Sequence, residues 1–140
     1  MPDVVDLIEQ DHREVEQLFA EFESSKDPAL AEKICGELDK HTAAEEAEVY
    51  PVIEGEVSGG KKLADEALDE HKGARQMIGR IRNTTEPDHL AELMGELERA
   101  IQHHVKEEET EMLPKARREI SAQELVDLGV KFEKAKEAAS

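Results

Sequence analysis

The chain has 140 residues and a formal net charge of −17, and 38% of its residues are charged whereas only 3% are aromatic. This length predicts one domain with a core of its own, and the abundance of Glu, Ala, Leu and Lys favours an all-helical fold. The charge argues against nucleic acid and anionic membrane surfaces as partners, because both are polyanions.

The pattern of apolar residues also bears on where the protein works. No apolar run reaches the roughly 20 residues of a membrane span, and the N-terminal residues lack the apolar core of a signal peptide. The single Cys35 excludes an intramolecular disulfide and fits a reducing compartment. We therefore expect a cytoplasmic protein without a membrane partner.

The first predicted helix begins after Asp3, a good N-cap, and runs to about Ser24. Its apolar residues recur every three or four positions, as on the buried face of a helix. His12 stands on this face, where an apolar residue is expected. Asp27 as N-cap and Pro28 as the first helical residue then open the second helix.

The second predicted helix continues its apolar face with two ionisable residues, His41 and Glu45. Pro51 is expected to kink its last turns, because proline removes a helix hydrogen bond. The Gly-rich residues 55–60 form a turn by composition.

The third predicted helix carries His71 in its apolar stripe and ends in the break at residues 83–87. The fourth carries His104 and Glu108 in its stripe. An unpaired buried carboxylate costs several kcal/mol, so ionisable groups on core-facing stripes need a reason.

Ser121 and Glu124 resemble a capping box that opens a short fifth helix. Four long helices joined by short loops predict an up-down-up-down four-helix bundle. We expect the bundle to span residues 1–118 and residues 119–140 to form a short helix and tail that pack on it or trail from it.

The second and fourth helices repeat one motif. When residues 38–46 are laid under residues 101–109, His41 matches His104 and Glu45 matches Glu108. Each copy therefore carries His-x-x-x-Glu, which puts the two side chains one turn apart on the buried face.

The four histidines are also predicted to lie at the same level along the bundle axis. His12 and His71 each lie about 13 residues before the end of their helices, and His41 and His104 lie about 13 and about 17 residues after the start of theirs. At 1.5 Å per residue, all four meet in the middle of the bundle to within about one turn. The two glutamates are one turn further on, so six groups converge on one layer.

A shared metal centre explains such a layer. Imidazole and carboxylate ligands without thiolate suit iron or manganese, with zinc as a further candidate. The two carboxylates come from opposite halves and could bridge two ions, one bound by His12 and His41 and the other by His71 and His104. The alternative is that each histidine hydrogen-bonds a carbonyl or a Glu. Each of the six buried groups would then need its own partner to offset the free-energy cost of desolvation.

Ferritin-like diiron proteins, which use Glu-x-x-His pairs, are a rival interpretation. The chain has two such pairs, which end at His12 and His89. His89 precedes His104 by 15 residues and so lies about 22 Å from the layer, which excludes this arrangement.

The motifs Asp11-His12, His41-x-x-x-Glu45, Glu70-His71 and His104-x-x-x-Glu108, in this order on four helices, resemble the hemerythrin-like (HHE cation-binding) domain. The resemblance covers about residues 3–118. It implies a four-helix bundle around two non-haem iron ions, oxo- or hydroxo-bridged, that react with O2 or related oxidants. It also implies the ligand set: His12, His41, Glu45, His71, His104 and Glu108.

One position departs from the oxygen-carrying hemerythrins, which have a second histidine four residues after the one on the third helix. That position is Arg75 here. The resemblance then implies an open coordination position near His71, filled by water, an oxidant or another side chain.

Tyr50, the only tyrosine, is a further candidate ligand. It could supply a phenolate if Pro51 distorts the helix. On a straight helix it points away from His41, and its repeat partner is Leu113, so packing is the favoured interpretation.

We therefore predict a diiron protein that acts on O2-derived species, with a catalase-like disproportionation of hydrogen peroxide or a response to peroxide or NO as its function. The alternatives are a module that reversibly binds or senses O2 or NO, an iron-holding protein, and a metal-free helical interaction domain. The expected partners are small oxidants, and the expected assembly is a monomer or a weak homo-oligomer.

Overall fold

The computed structural model describes residues 1–140 and consists only of helices and short connections. Its elements are α1 Val4–Ser25, α2 Pro28–Ala44, a π-helical turn Glu45–Val49 (π1), α3 Tyr50–Glu56, α4 Gly60–Arg82, α5 Pro87–Glu107, a second π-helical turn Glu108–Met112 (π2), α6 Leu113–Glu119 and α7 Ala122–Ala138. The π-turns continue α2 into α3 and α5 into α6, so the chain forms five helical rods. The all-helical prediction is confirmed, whereas the up-down-up-down order of the rods stays a prediction. No helix is long and apolar enough to cross a membrane.

The helix starts follow the sequence signals. Asp3, Asp27 and Ser121 each accept a backbone N–H two or three residues further on, as N-caps do. The helix after Ser121, which was expected to be short, has 17 residues.

The tight connection between α3 and α4 depends on two glycines. Gly59 has a φ of 69°, in the left-handed region that glycine tolerates best. A Cβ at Gly60 would lie 1.9 Å from the carbonyl oxygen of Ile53, so only glycine allows this approach of the two backbones.

Two hydrophobic clusters fill the interior. One contains 17 buried residues, among them Ile8 and Phe132, and the other contains 15, among them Phe19 and Leu97. Along α1, His12 follows Ile8 of the first cluster and precedes the residues of the second. The core is therefore split by a polar layer at the height that the helix lengths predicted.

Candidate metal centre

The six layer residues are buried and lie together. They form two overlapping groups of four in which one ligand atom from each residue lies within 4.8 Å of the others. The groups are His12, His41, Glu45 and Glu108, and Glu45, His71, His104 and Glu108. The two glutamates are common to both groups, which is the arrangement that two bridged ions require.

Glu45 contacts imidazoles from both halves of the chain. Its Oε1 lies 3.2 Å from the Nε2 of His41 and 3.1 Å from the Nε2 of His71. None of its surface is exposed, so these contacts are shielded from water.

Glu108 repeats this arrangement from the opposite side. Its Oε1 lies 3.1 Å from the Nε2 of His12 and its Oε2 lies 3.3 Å from the Nε2 of His104. Each carboxylate therefore touches one histidine from each half.

Four buried atoms in the layer have no hydrogen-bond partner, although most buried polar atoms in proteins have one. They are His12 Nε2, His41 Nε2, Glu45 Oε2 and Glu108 Oε1. Because the neighbouring donors and acceptors are close but not aligned for hydrogen bonds, the donor set fits metal ions better than it fits an internal network.

The π-turns determine where the side chains after each glutamate point. Glu45 begins π1, and its carbonyl accepts the N–H of Tyr50 five residues later. On an α-helix Tyr50 would be turned by about 140° from Glu45, but the wider turn brings both onto one face. Pro51, which lacks an N–H and would clash with the carbonyl four residues earlier, follows directly.

Tyr50 consequently enters the layer, and the expectation that it packs away from it is wrong. Its hydroxyl donates to Glu108 Oε2 and lies 3.1 Å from both Glu45 Oε1 and His71 Nε2. Leu113, which matches Tyr50 in the sequence repeat and follows π2, has no polar atom on its side chain. The hydroxyl group therefore makes the two halves of the layer chemically different.

Every layer histidine donates its Nδ1–H to a carboxylate outside the layer. These outer carboxylates are Glu109 for His12 at 2.6 Å, and Asp11 for His41, Glu46 for His71 and Glu70 for His104, each at 2.7 Å. Such a partner fixes the ring orientation and keeps the proton on Nδ1, which leaves the Nε2 lone pair free for a metal.

For Glu46 and Glu109 the sequence favours a solvated helix face, with support of the ligands as the alternative. The structure shows them in contact with His71 and His12, which agrees with the alternative. The roles of Asp11 and Glu70 were missed. The available signal was that each directly precedes a layer histidine and so lies about 100° around the helix, toward the neighbouring rod.

Three outer carboxylates are paired with permanent cations. Arg13 binds Glu109, Lys136 binds Asp11 at 2.7 Å, and Arg75 binds Glu46 at 2.6 Å. Arg75 is 44% exposed, so it stands outside the layer. It holds the carboxylate partner of His71 and does not occupy the metal position that a histidine takes there in the oxygen carriers.

Helix α7 contributes to the site from outside the four predicted rods. The rings of Phe132 and His41 pack nearly at right angles, with centroids 5.7 Å apart and planes at 84°. Lys136 reaches Asp11, the outer carboxylate of the same histidine. This helix therefore packs against His41 and its outer carboxylate.

The metal-free layer contains charged histidines and charged glutamates in close contact. Burial lowers the pKa of His41 and of His104, but the Glu45 and Glu108 carboxylates outweigh it and raise the two values to about 10 and about 11. Burial raises the pKa of Glu108, but the charge and hydrogen bond of His104 leave it well below its usual range. Protons on imidazoles thus provide the positive charge that metal ions would provide.

The hydroxyl of Tyr50 stays protonated in this setting. Burial, together with the negative charges of Glu108 and Glu45, raises the pKa of Tyr50 well above its usual value.

A small void lies against the layer between α1, α2 and α5. Its volume is about 20 Å³, and its exposed lining is apolar. The residues that line it are Asp11, His12, Val15, Leu38, His41, Thr42, Ile101, His104 and Val105. One water-sized sphere needs about 10–15 Å³, so the void admits only very small molecules.

The chain is similar to hemerythrin-like proteins in sequence and in fold. The chain is 26% identical to an uncharacterised hemerythrin-like protein of Schizosaccharomyces pombe over 97% of this chain and 70% of that protein. It is 25% identical to a DNA nickase of a Nostoc species over 95% of this chain, but only 39% of that protein is covered. The crystal structure of a hemerythrin HHE cation binding domain-containing protein from Mycobacterium kansasii shares the fold, with a TM-score of 0.83 and 23% identity over 99% of this chain and 88% of that one.

The family assignment follows from a match that spans most of the chain. Residues 3–116 match the profile of the hemerythrin HHE cation binding domain, and this range contains all six layer residues. The chain belongs to the hemerythrin HHE cation binding domain family.

Proposed function

We propose that the layer binds two iron ions, one at His12 and His41 and one at His71 and His104, with Glu45 and Glu108 shared between them. The observation that carries the proposal is the pair of overlapping donor groups with four buried, unpartnered ligand atoms. Manganese and zinc suit the same donors and are the competing ions.

The proposed reaction is the disproportionation of hydrogen peroxide to water and O2. A bound pair of iron ions would supply the two-electron change that this reaction needs. Glu45 and Glu108 would hold both ions, and the hydrophobic clusters on the two sides of the layer limit the access of bulk water.

The void limits the size of the molecules that can bind against the layer on its side. His12, His41 and His104 contribute to its wall, and its volume of about 20 Å³ suits a molecule with two heavy atoms. In our proposal the oxidant binds on this side.

Tyr50 completes the opposite side in our proposal. Its hydroxyl oxygen lies 3.1 Å from His71 Nε2, so it would fill the coordination position that we expect to be open near His71. It serves either as a further iron ligand or as a hydrogen-bond donor to Glu108.

Oxygen evolution at known iron loading tests the proposal. Protein loaded with about two iron per chain is expected to release O2 from hydrogen peroxide. His71→Ala and Glu108→Ala are expected to abolish the release by losing an iron, whereas the exposed His89→Ala keeps it.

A second candidate is reversible binding or sensing of O2 or NO, which the small apolar void also favours. Fully loaded protein that releases no O2 from peroxide, and whose reaction with O2 reverses under vacuum, would establish this candidate. Protein that takes up no transition metal would leave only the helical interaction domain.

A further inference from the structure

The void beside the layer adjoins a groove on the surface between α1 and α5. The groove has a volume of about 290 Å³ and is lined by Glu16, Phe19, Glu98, Ile101, Gln102 and Val105. Two of these residues, Ile101 and Val105, also line the void, so their side chains form a wall that the void and the groove share. Each of the two is 8% exposed, which places the wall between the solvent and the buried layer.

This wall stands directly beside a layer residue. Ile101 and Val105 are one turn apart on α5 and so share a face of the helix, and His104 immediately precedes Val105. A molecule that crosses the wall from the groove therefore arrives next to His104, which also lines the void. Both wall residues are β-branched, and such side chains have one strongly preferred rotamer in a helix. The size of the two side chains therefore determines how wide the passage is.

The sequence repeat supplies matching residues that do not form such a wall. Leu38 matches Ile101 and Thr42 matches Val105, and both line the void. Neither of them lines the groove between α1 and α5, and the hydroxyl of Thr42 accepts a hydrogen bond of 3.4 Å from Arg75. Leu38 is therefore a matched comparison for Ile101, because it contacts the same void without separating it from the groove.

A larger pocket reaches the void from the other side of α1, between α1 and α2. Its volume is about 390 Å³, and it shares Asp11, Val15 and His41 with the void. Asp11 is hydrogen-bonded to His41 and to Lys136, each at 2.7 Å. A passage beside Asp11 therefore requires largely buried ionisable groups to separate, which is costly. At the wall of Ile101 and Val105 only aliphatic side chains have to move.

We propose that Ile101 and Val105 form an apolar size filter through which small uncharged molecules, such as hydrogen peroxide, O2 or NO, enter the void from the groove between α1 and α5. The negative charges of Glu16 and Glu98 in the groove disfavour anions. Any ion would also lose its hydration at the aliphatic wall. That the admitted molecule reacts in the layer rests on the proposed function, whereas the filter itself does not.

Fluorescence of the metal-free protein tests the filter without iron. The chain has one tyrosine and no tryptophan, so its intrinsic fluorescence comes from Tyr50. The hydroxyl of Tyr50 lies 3.5 Å from His104 Nε2, so this fluorescence reports on the layer. Its lifetime at increasing O2 concentration gives the rate constant with which O2 reaches the layer. Ile101→Ala is expected to raise this rate constant at least threefold, and Val105→Leu is expected to lower it at least twofold.

Two further variants show whether the wall itself is responsible. Leu38→Ala truncates a side chain of the same void and so controls for the loss of stability that a cavity causes, and it should keep the wild-type rate constant. Val15→Ala widens the void toward the pocket between α1 and α2. A rate constant that rises in Leu38→Ala or Val15→Ala as much as in Ile101→Ala overturns the filter. So does a rate constant that neither Ile101→Ala nor Val105→Leu changes.

Binding of NO to the reduced, iron-loaded protein separates the filter from the proposed function. A filter affects entry and exit alike, so Ile101→Ala should raise the association and dissociation rate constants together and leave Kd unchanged, as measured by stopped-flow absorption. A changed Kd with an unchanged association rate constant would make Ile101 a binding residue and overturn the filter. If the metal-free variants respond as expected but the loaded wild type shows no absorption change with NO, the filter is supported and the proposed function is contradicted.

Discussion

At the scale of single residues, Tyr50 is the one polar group that breaks the symmetry of the layer. Replacing it with Phe keeps the ring and removes the hydroxyl that donates to Glu108. In the metal-free protein this leaves a buried carboxylate oxygen without its donor, which costs about 1–3 kcal/mol. We expect Tyr50→Phe to lower the free energy of unfolding by that amount, measured in urea without metal.

The loaded form of the same variant shows whether Tyr50 is a ligand. If its oxygen binds ferric iron, the wild type has a phenolate-to-iron absorption band in the visible range that Tyr50→Phe lacks. Identical spectra at equal iron loading would assign Tyr50 to hydrogen bonding alone.

The layer histidines also predict how metal binding depends on pH. His41 and His104 have pKa values raised to about 10 and about 11, so both are protonated at neutral pH without metal. A metal requires neutral imidazoles, so loading should release about two protons per chain from these residues, and affinity should rise with pH. A pH indicator in weakly buffered solution measures the release during an anaerobic titration, and fewer than one proton per chain would contradict the charge assignment.

The free energy of unfolding of the metal-free protein should fall as the pH rises, whereas the metal affinity should increase. Because folding raises the pKa of His41 and His104, their contribution is fully present below the unfolded value of about 6.5 and is lost as pH rises through about 10 to 11. The stabilisation gained on loading should therefore increase from pH 6 to pH 9.

The sequence predicts single residues well where they lie on the repeated stripe. His41 and His104, for example, are given by the alignment of the two His-x-x-x-Glu motifs. Asp11 and Glu70 depend on which neighbouring rod each one faces, and a helical period within one rod does not contain that information. Tyr50 was misplaced because its direction depends on a change of helix type.

At the scale of elements, that change of helix type is repeated in each half. Both π-turns begin at a layer glutamate and end just before a Tyr-Pro or Leu-Pro pair. A proline at this position of each repeat therefore predicts a distorted helix, as the sequence indicated for Pro51. We attribute the kind of disturbance, a π-turn, to the contacts of Glu45 in the layer.

The exposed Pro51 offers a test of this link. Pro51→Ala restores a backbone N–H and removes the clash with the carbonyl four residues earlier, so the α-helix should compete with π1. We expect Tyr50 to leave the layer in part, with a spectrum of the loaded protein shifted toward that of Tyr50→Phe and unchanged helix content by circular dichroism. Pro28→Ala, at the start of α2, is the control, and a wild-type spectrum in Pro51→Ala would show that the layer alone holds π1.

Helix α7 was predicted to pack on the bundle or to trail from it, and its contacts with His41 and Asp11 make it part of the site. Lys136 pairs with the buried Asp11, so Lys136→Ala leaves a partly buried carboxylate with one partner fewer. We expect a loss of about 1–3 kcal/mol in the free energy of unfolding of the metal-free protein. The exposed Lys134→Ala is the matched control, and equal denaturation midpoints for the two variants would mean that the Lys136–Asp11 pair contributes nothing.

At the scale of the whole molecule, the polar layer separates two hydrophobic clusters of similar size. The packing of the helices does not require a polar layer, because apolar side chains on the same helix faces could fill this level of the core. The helix lengths were enough to predict that the six groups meet. They could not predict the contacts of α7 with His41 and Asp11, because these depend on where α7 packs.

The two clusters should keep the metal-free chain folded, while the layer makes its stability depend on metal. The unfolded chain has no preformed site, so binding energy at the layer adds to folding energy. At a free metal concentration about 1,000 times the dissociation constant, this adds about 4 kcal/mol. For a domain of this size, that corresponds to a rise of roughly 10 °C in melting temperature.

Differential scanning calorimetry of metal-free and iron-loaded protein measures this rise. We expect both forms to be helical at 25 °C, with the loaded form melting later. Glu45→Gln, which cannot place a charged carboxylate between two ions, should lose most of the difference, whereas the exposed Glu92→Gln should keep it. Equal melting of the two wild-type forms would mean that the layer is satisfied by its own protons and carboxylates, and that the protein does not use it to bind metal.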